Sequence, residues 1–257
     1  MCGLAGIFAY AESAPPVSSE ELFRMRDSMV DRGPDDAGLW VSSDRRVGVA
    51  HRRLAIIDLD ARAAQPMHDP ATGNVIVFNG EIYNYRELRR ECRARGAAFS
   101  TESDTEVLLA LYRLHGETLV QRLRGMFAFA IWDARHKRLF LARDPFGVKP
   151  LYYADDGKTL RFASQVKALV AGGAPDAPSA AGMAGFFLWG HVPEPWTWAA
   201  AVRALPAGCT MTVPLGGFPS APRRCFDLRE EILQAQEAPP PARDVAHEVV
   251  VFVADSV

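Results

Sequence analysis

The chain has 257 residues, 49% hydrophobic and 23% charged, the balance of an ordinary globular protein, so wholesale disorder is excluded. Twenty-nine basic residues against thirty-one acidic ones leave a net charge of −2, which argues against nucleic-acid or membrane-surface binding driven by bulk charge. The longest strongly apolar run, Ala184 to Gly190, is far shorter than the ~20 residues of a membrane span, and four scattered cysteines suit reduced thiols rather than a disulfide scaffold.

In chain order, the pattern predicts a first strand over Gly3 to Tyr10, with no basic stretch before it of the kind that opens a secretory signal. Ser18 to Met29 reads as a helix, with Ser18 and Glu21 as a capping box and Leu22, Met25 and Met29 on one face. Val47 to Ala50, Leu54 to Leu59 and Asn74 to Phe78 read as strands, the last buried because its apolar run is continuous. Tyr85 to Arg95 reads as a basic amphipathic helix stopped by Gly96. Ser103 with Glu106 makes a second capping box, for a helix through Leu114 stopped by Gly116. Strands are expected at Met126 to Trp132, Arg138 to Ala142, Leu151 to Ala154 and Thr159 to Ala163. Runs of strands separated by pairs of helices suggest sheets packed between helical layers rather than βαβ repeats.

Beyond Ser164 the composition changes. Charge becomes sparse as far as Pro222, and eleven of the eighteen prolines fall between Pro175 and Pro241, which predicts loops and short edges. Phe186, Phe187, Leu188, Trp189, Trp196 and Trp198 are apolar enough that packing on the rest is expected. Residues 229–243 read as a linker stiffened by three consecutive prolines, and 244–257 as a helix with an apolar stripe.

Several residues carry potential chemistry. Once initiator Met1 is removed, Cys2 presents a thiol beside an α-amine whose ordinary pKa is ~7.7–8.0, suited to act as base for its own side chain. The plain alternative is a cysteine that happens to follow the initiator. Asn79 and Gly80, after a buried strand, offer an amide and a backbone N–H for an oxyanion hole, or else an Asn-Gly turn. Arg53 suits bidentate capture of a carboxylate, or else a solvated strand edge. Asp104 suits a substrate ammonium, or else complements the helix dipole in the first turn. The six histidines show no i,i+4 pairing, and there is no CxxC, Walker loop or GxGxxG, so neither zinc nor a nucleotide site is expected.

Read together, these pieces resemble a family. The chain is similar to the N-terminal glutaminase domain of glutamine-hydrolysing asparagine synthetase, a class-II glutamine amidotransferase. The matching segments include Met-Cys-Gly-Leu-Ala-Gly-Ile-Phe at 1–8, Arg32-Gly-Pro-Asp35, His51-Arg-Arg-Leu-Ala-Ile-Ile-Asp58, Gln65-Pro-Met67 and Asn79-Gly-Glu-Ile-Tyr-Asn84. They continue through Ser103-Asp-Thr-Glu106, Gly125 to Asp133, Arg143-Asp-Pro-Phe-Gly-Val-Lys-Pro-Leu-Tyr-Tyr153 and Gly190 to Pro195, collinear over nearly all of residues 1–228.

The resemblance implies an α+β N-terminal-nucleophile fold, a four-layer αββα sandwich of two antiparallel sheets between helical layers, over residues 2–228. It implies Cys2 as nucleophile with its freed amine as base, and Asn79 and Gly80 as the oxyanion hole. Arg53 would hold the α-carboxylate of L-glutamine, with Leu54, Ala55, Ile56 and Ile57 lining the site and Glu81 and Asp104 near the α-ammonium. No cofactor or metal is expected in this chain. ATP and Mg belong, by resemblance, to a synthetase domain that would begin near residues 244–257 and amidate aspartate with the ammonia released. That domain, in cis or in trans, is the expected partner, with homodimers common among related enzymes and a cytoplasmic location. Two alternatives stay open, a relative with another acceptor that shares the pattern and a non-catalytic truncated relic; loss of the chemistry would show most simply as a changed Cys2.

Overall fold

The structure, a computed structural model, describes residues 1–55, 60–237, 245, 247 and 249–251. It divides into two compact units, Met1–Cys225 and Phe226–Val257.

In the first unit the elements run β1 (Gly3–Ala9), α1 (Ser19–Asp27), β2 (Asp36–Val41), β3 (Val47–Arg53), β4 (Met67–His68), β5 (Val75–Ile82), α2 (Tyr85–Ala94) and α3 (Asp104–His115). They continue as β6 (Gly125–Asp133), β7 (Arg138–Arg143), β8 (Tyr152–Asp155), β9 (Thr159–Ala163), α4 (Val166–Ala171), α5 (Ala180–Trp189), β10 (Arg203–Ala204), β11 (Cys209–Pro214) and β12 (Arg223–Arg224). The strands form two six-stranded antiparallel sheets, ordered β10-β8-β9-β1-β3-β2 and β12-β11-β7-β6-β5-β4.

Side-chain alternation builds the layers. On β1, Leu4 and Phe8 join a core that also holds Val75 and Val77 of β5, while Ala5 and Ile7 join another with Leu22, Met25 and Leu169 from α1 and α4. On β6, Ala128 and Ala130 face the inter-sheet core, and Phe127, Phe129 and Ile131 face Leu108 and Leu111 of α3. Three buried layers therefore separate four layers of structure, α-β-β-α, the sandwich the resemblance implied. Both faces of each central strand are covered, which is why β5 and β6 read as continuous apolar runs.

Several local expectations change. β2 has no counterpart in the sequence pattern. β3 runs three residues beyond Ala50, and the strand expected over Leu54 to Leu59 is absent at Leu54 and Ala55, with 56–59 outside the described residues. β5 passes straight through Asn79 and Gly80 to Ile82, so the Asn-Gly turn does not form. Both helix caps are one-sided: Ser18 Oγ accepts from Glu21 N and Ser103 Oγ from Thr105 N. The glutamates expected to reciprocate bind elsewhere, Glu21 to Arg161 and Glu106 to Ser100 and Thr101.

The proline-rich stretch holds α5, which packs through its glycines rather than its aromatics. A Cβ on Gly185 would lie 2.2 Å from Pro193 Cδ, so the helix seats closely there. Phe186, Phe187, Leu188, Trp189, Trp196 and Trp198 consequently stay exposed, against the expectation that they pack.

In the second unit, α6 (Leu228–Glu237) occupies much of the segment read as linker, with Asp227 Oδ1 accepting from Arg229 N at its start. Residues 238–243 lie outside the described residues, and within 244–257 the described residues, Val245, His247 and 249–251, are helical and exposed.

Candidate active site

Strand parity brings the site together. Cys2 lies two residues before Leu4, on the side of β1 that faces the inter-sheet core. On β3 the same alternation carries Val47 and Val49 into that gap and then His51 and Arg53. On β5 it carries Val75 and Val77, then Asn79 and Glu81. Cys2 and Arg53 thus come from one sheet, and Asn79, Gly80 and Glu81 from the other. They meet Asp104, at the N-terminus of α3, around a cleft of about 90 Å³ that Gln65 and Lys149 also line.

The Cys2 side chain is held by Leu54: its Sγ accepts from Leu54 N at 3.4 Å and lies 3.6 Å from Leu54 O. Arg32 Nε donates to Cys2 O at 2.9 Å and fixes the backbone on the other side. Burial pushes the thiol pKa up, opposed by the Leu54 N–H, the chain's N-terminal charge and Arg53. A thiol so placed needs a base to become nucleophilic. While Met1 is attached, the Cys2 nitrogen is a peptide N–H and supplies none.

Across the gap, Asn79 is almost wholly buried and its Nδ2 has no hydrogen-bond partner among the described residues. Leaving an amide donor bare costs about 1–3 kcal/mol, so this group is poised for an acceptor that arrives from outside. Gly80 is held so tightly that an added Cβ would sit 2.3 Å from Met126 O. Asp104 Oδ2 accepts from Ile82 N at 3.1 Å. Burial raises the Asp104 carboxyl to about 6, with Glu81 adding to the rise and the backbone N–H groups of Ile82 and Thr105 opposing it. Arg53 is buried rather than solvated, with Nη1 3.4 Å from Asp60 O.

Of the remaining predicted residues, Leu54 lines the cleft and Ala55 does not, its N–H donating to Asp35 Oδ2 at 2.8 Å. Ile56 and Ile57 lie outside the described residues. Sequence reasoning passed over Arg32, Gln65 and Lys149. All three stood in matching segments, Arg32-Gly-Pro-Asp35, Gln65-Pro-Met67 and the run from Arg143 through Lys149, without an assigned role, and nothing local to Lys149 signals a buried ammonium at the cleft. A larger cleft of about 810 Å³, lined by Met67, His68, Leu109 and Arg113 among others, contains none of the predicted residues. Among the described residues, no group of three His, Cys, Asp or Glu side chains converges as a metal site would, and no helix is long and apolar enough to cross a membrane.

Residues 1–222 match the glutamine amidotransferase domain. Asparagine synthetase [glutamine-hydrolyzing] 1 of Bacillus subtilis is 42% identical over 214 residues, 83% of this chain and 33% of that protein. A putative glutamine-hydrolysing asparagine synthetase of Mycobacterium bovis is 40% identical over 230 residues, 81% of this chain and 34% of the relative. The chain thus spans about a third of the length of these curated relatives. In fold it is similar to glutamine phosphoribosylpyrophosphate amidotransferase from B. subtilis, with a TM-score of 0.64 at 20% identity, over 88% of this chain and 49% of the other. With the matched domain covering most of its length, the chain belongs to the glutamine amidotransferase domain family.

Proposed function

We propose that this chain is the glutaminase half of an asparagine synthetase-like enzyme, working in the cytoplasm and releasing ammonia from L-glutamine. The observation that carries the reading is the bare Asn79 Nδ2, turned into the inter-sheet gap beside the cleft that holds the Cys2 thiol. After removal of Met1, the Cys2 amine takes the Sγ proton and the thiolate attacks the glutamine side-chain carbonyl. The oxyanion that forms is met by Asn79 Nδ2 and Gly80 N–H, each donor contributing ~3 kcal/mol to lowering the barrier. The amine then returns its proton to the departing nitrogen, and water hydrolyses the γ-glutamyl thioester to glutamate. Arg53 receives the α-carboxylate, and Glu81 and Asp104 receive the α-ammonium, charges complementary to a zwitterionic amino acid.

The partner in this proposal is a synthetase domain, in cis or in trans, that uses ATP and Mg to amidate aspartate. The asparagine synthetase relatives, about three times the length matched here, support it. Another acceptor is the second reading, favoured by the 38% identity to amidase chry2 of Gibberella zeae over 67% of this chain. The first experiment is glutamate and ammonia release from glutamine by the purified chain, beside Cys2→Ala, with intact mass reporting Met1. Release that depends on Cys2 and not on ATP is expected. Equal release from Cys2→Ala sinks the proposal, and adding aspartate and ATP with a synthetase domain separates the two acceptors.

A further inference from the structure

We infer that His51 and Gln65 are positioning residues, which set the oxyanion donors of β5 against the Cys2 thiol. The inference rests on the glutaminase reading of the same site.

β5 pairs with β6 along its whole length, but β4 covers its other side only at Val75 and Ile76. Beyond Ile76, the alternate residues Phe78, Gly80 and Ile82 turn their N–H and C=O groups to an edge that, among the described residues, carries no strand. Side chains cap that edge one residue at a time. Phe78 N donates to Gln65 Oε1 at 2.6 Å, and Phe78 O lies 2.9 Å from His51 Nε2. Ile82 N donates to Asp104 Oδ2. Gly80, between them, faces the cleft itself. The two groups that fix Phe78 therefore fix the peptide leading into Asn79 and the pleat that aims Gly80 N–H.

His51 does more than cap. It stands on β3, in the sheet that carries β1 and Cys2, and reaches across the gap to the other sheet. A carbonyl oxygen only accepts, so Nε2 carries the proton of a neutral ring, and burial keeps the ring neutral by lowering its pKa to about 4. Nδ1 is left buried with no partner among the described residues. An imidazole so placed is a poor core residue, since an aliphatic side chain would leave no acceptor bare. Its use is the bond to Phe78. Gln65 is steadied in turn by Thr105, its Nε2 3.4 Å from Thr105 Oγ1, beside Asp104.

The test compares His51→Leu, His51→Gln and Gln65→Met in the full chain after Met1 removal. Readouts are kcat and KM for glutamine and the affinities for L-glutamate and L-glutamate γ-semialdehyde, whose aldehyde adds the Cys2 thiol and places an oxyanion in the hole. His51→Leu is expected to lower kcat on the order of 10- to 100-fold, with KM and glutamate affinity unmoved and aldehyde affinity reduced by a similar factor. His51→Gln, whose amide reaches about as far as Nε2, should restore most of both. Wild-type kcat and aldehyde affinity in a folded His51→Leu overturn the inference, as does equal weakening of aldehyde and glutamate. Should His51→Leu not fold, Gln65→Met answers the same comparison with the same outcomes. Absence of hydrolysis in the wild type overturns the glutaminase reading instead. The Gly80 amide resonance then decides here, since it must shift in the His51 variants if the strand edge depends on that ring.

Discussion

In its proposed role Asp104 must be ionised to hold an ammonium, yet its burial at the head of α3 raises the carboxyl to about 6. Because that value exceeds the ordinary one of 3.8, proton uptake favours the folded state. The stability that protonation gives is fully present below the unfolded pKa and is lost as pH rises through about 6. Above that pH, ionised Asp104 costs the free protein about 3 kcal/mol, from ~1.4 kcal/mol per pKa unit. Asp104→Asn keeps an oxygen for Ile82 N and sheds the charge. It should raise stability in urea unfolding at pH 7.5, with the gain gone near pH 4, while KM for glutamine rises at least about tenfold. A less stable variant at pH 7.5 would contradict the assignment of the raised carboxyl. Residue types at this scale were legible: thiol, amide, guanidinium and carboxylate were all identified in the sequence. Their burial was not, because Arg53 is kept from solvent, and Asn79 from a turn, by strands whose partners lie far along the chain.

At the scale of elements, Glu106 holds the approach to α3. Its carboxylate accepts from the N–H and hydroxyl of Ser100 and of Thr101, four bonds at 2.7–3.0 Å. Burial pushes its pKa up, but these hydrogen bonds outweigh it and the net direction is down. The stability it gives is therefore present above the unfolded pKa and lost as pH falls through the lower folded value. Glu106→Ala should cost about 1–3 kcal/mol at neutral pH, narrowing in acid, as measured by urea midpoints at two pH values. A variant as stable as wild type would show that the 100–103 loop is held by other contacts. The spacing Ser103 to Glu106 predicted a reciprocal cap; the helix start was right and the glutamate's partners were not. A capping motif reports where a helix begins, whereas the loop in front of it decides which N–H groups reach the carboxylate. β5 teaches the same lesson. Asn79-Gly80 favours a turn locally, but eight register pairs with β6 hold it extended.

Over the whole molecule, alternating strands and paired helices were enough to expect sheets between helical layers, and the family resemblance gave their number. The strand order was not readable, because β2 pairs through residues with no apolar alternation and β11 follows a proline-rich stretch. Nor was the outward face of α5, where Phe187, Leu188 and Trp189 are 80%, 71% and 64% exposed. A contiguous apolar surface of this kind drives association in water. Phe187→Ser with Trp189→Ser should raise the concentration at which light scattering detects self-association and leave glutaminase turnover unchanged. Unaltered scattering would place the sticky surface elsewhere.

The proposed nucleophile, Cys2, and the proposed oxyanion donors, Asn79 and Gly80, stand on opposite sheets, so the distance between them is the thickness of the hydrophobic filling. Turnover is in that sense a gauge of how far apart two slabs are held, and its calibration lies well away from the thiol. Gly6, in the middle of β1, has the ring of Phe162 lying directly on its backbone, and a Cβ there would come within 2.1 Å of the ring. Gly6→Ala is a shim pushed into that filling. Its mark should be a slower first chemical step, read as a smaller burst of ammonia at unchanged glutamine affinity, in protein that still unfolds cooperatively. The interior of this enzyme then does what is usually asked of its surface loops: it sets the working distance.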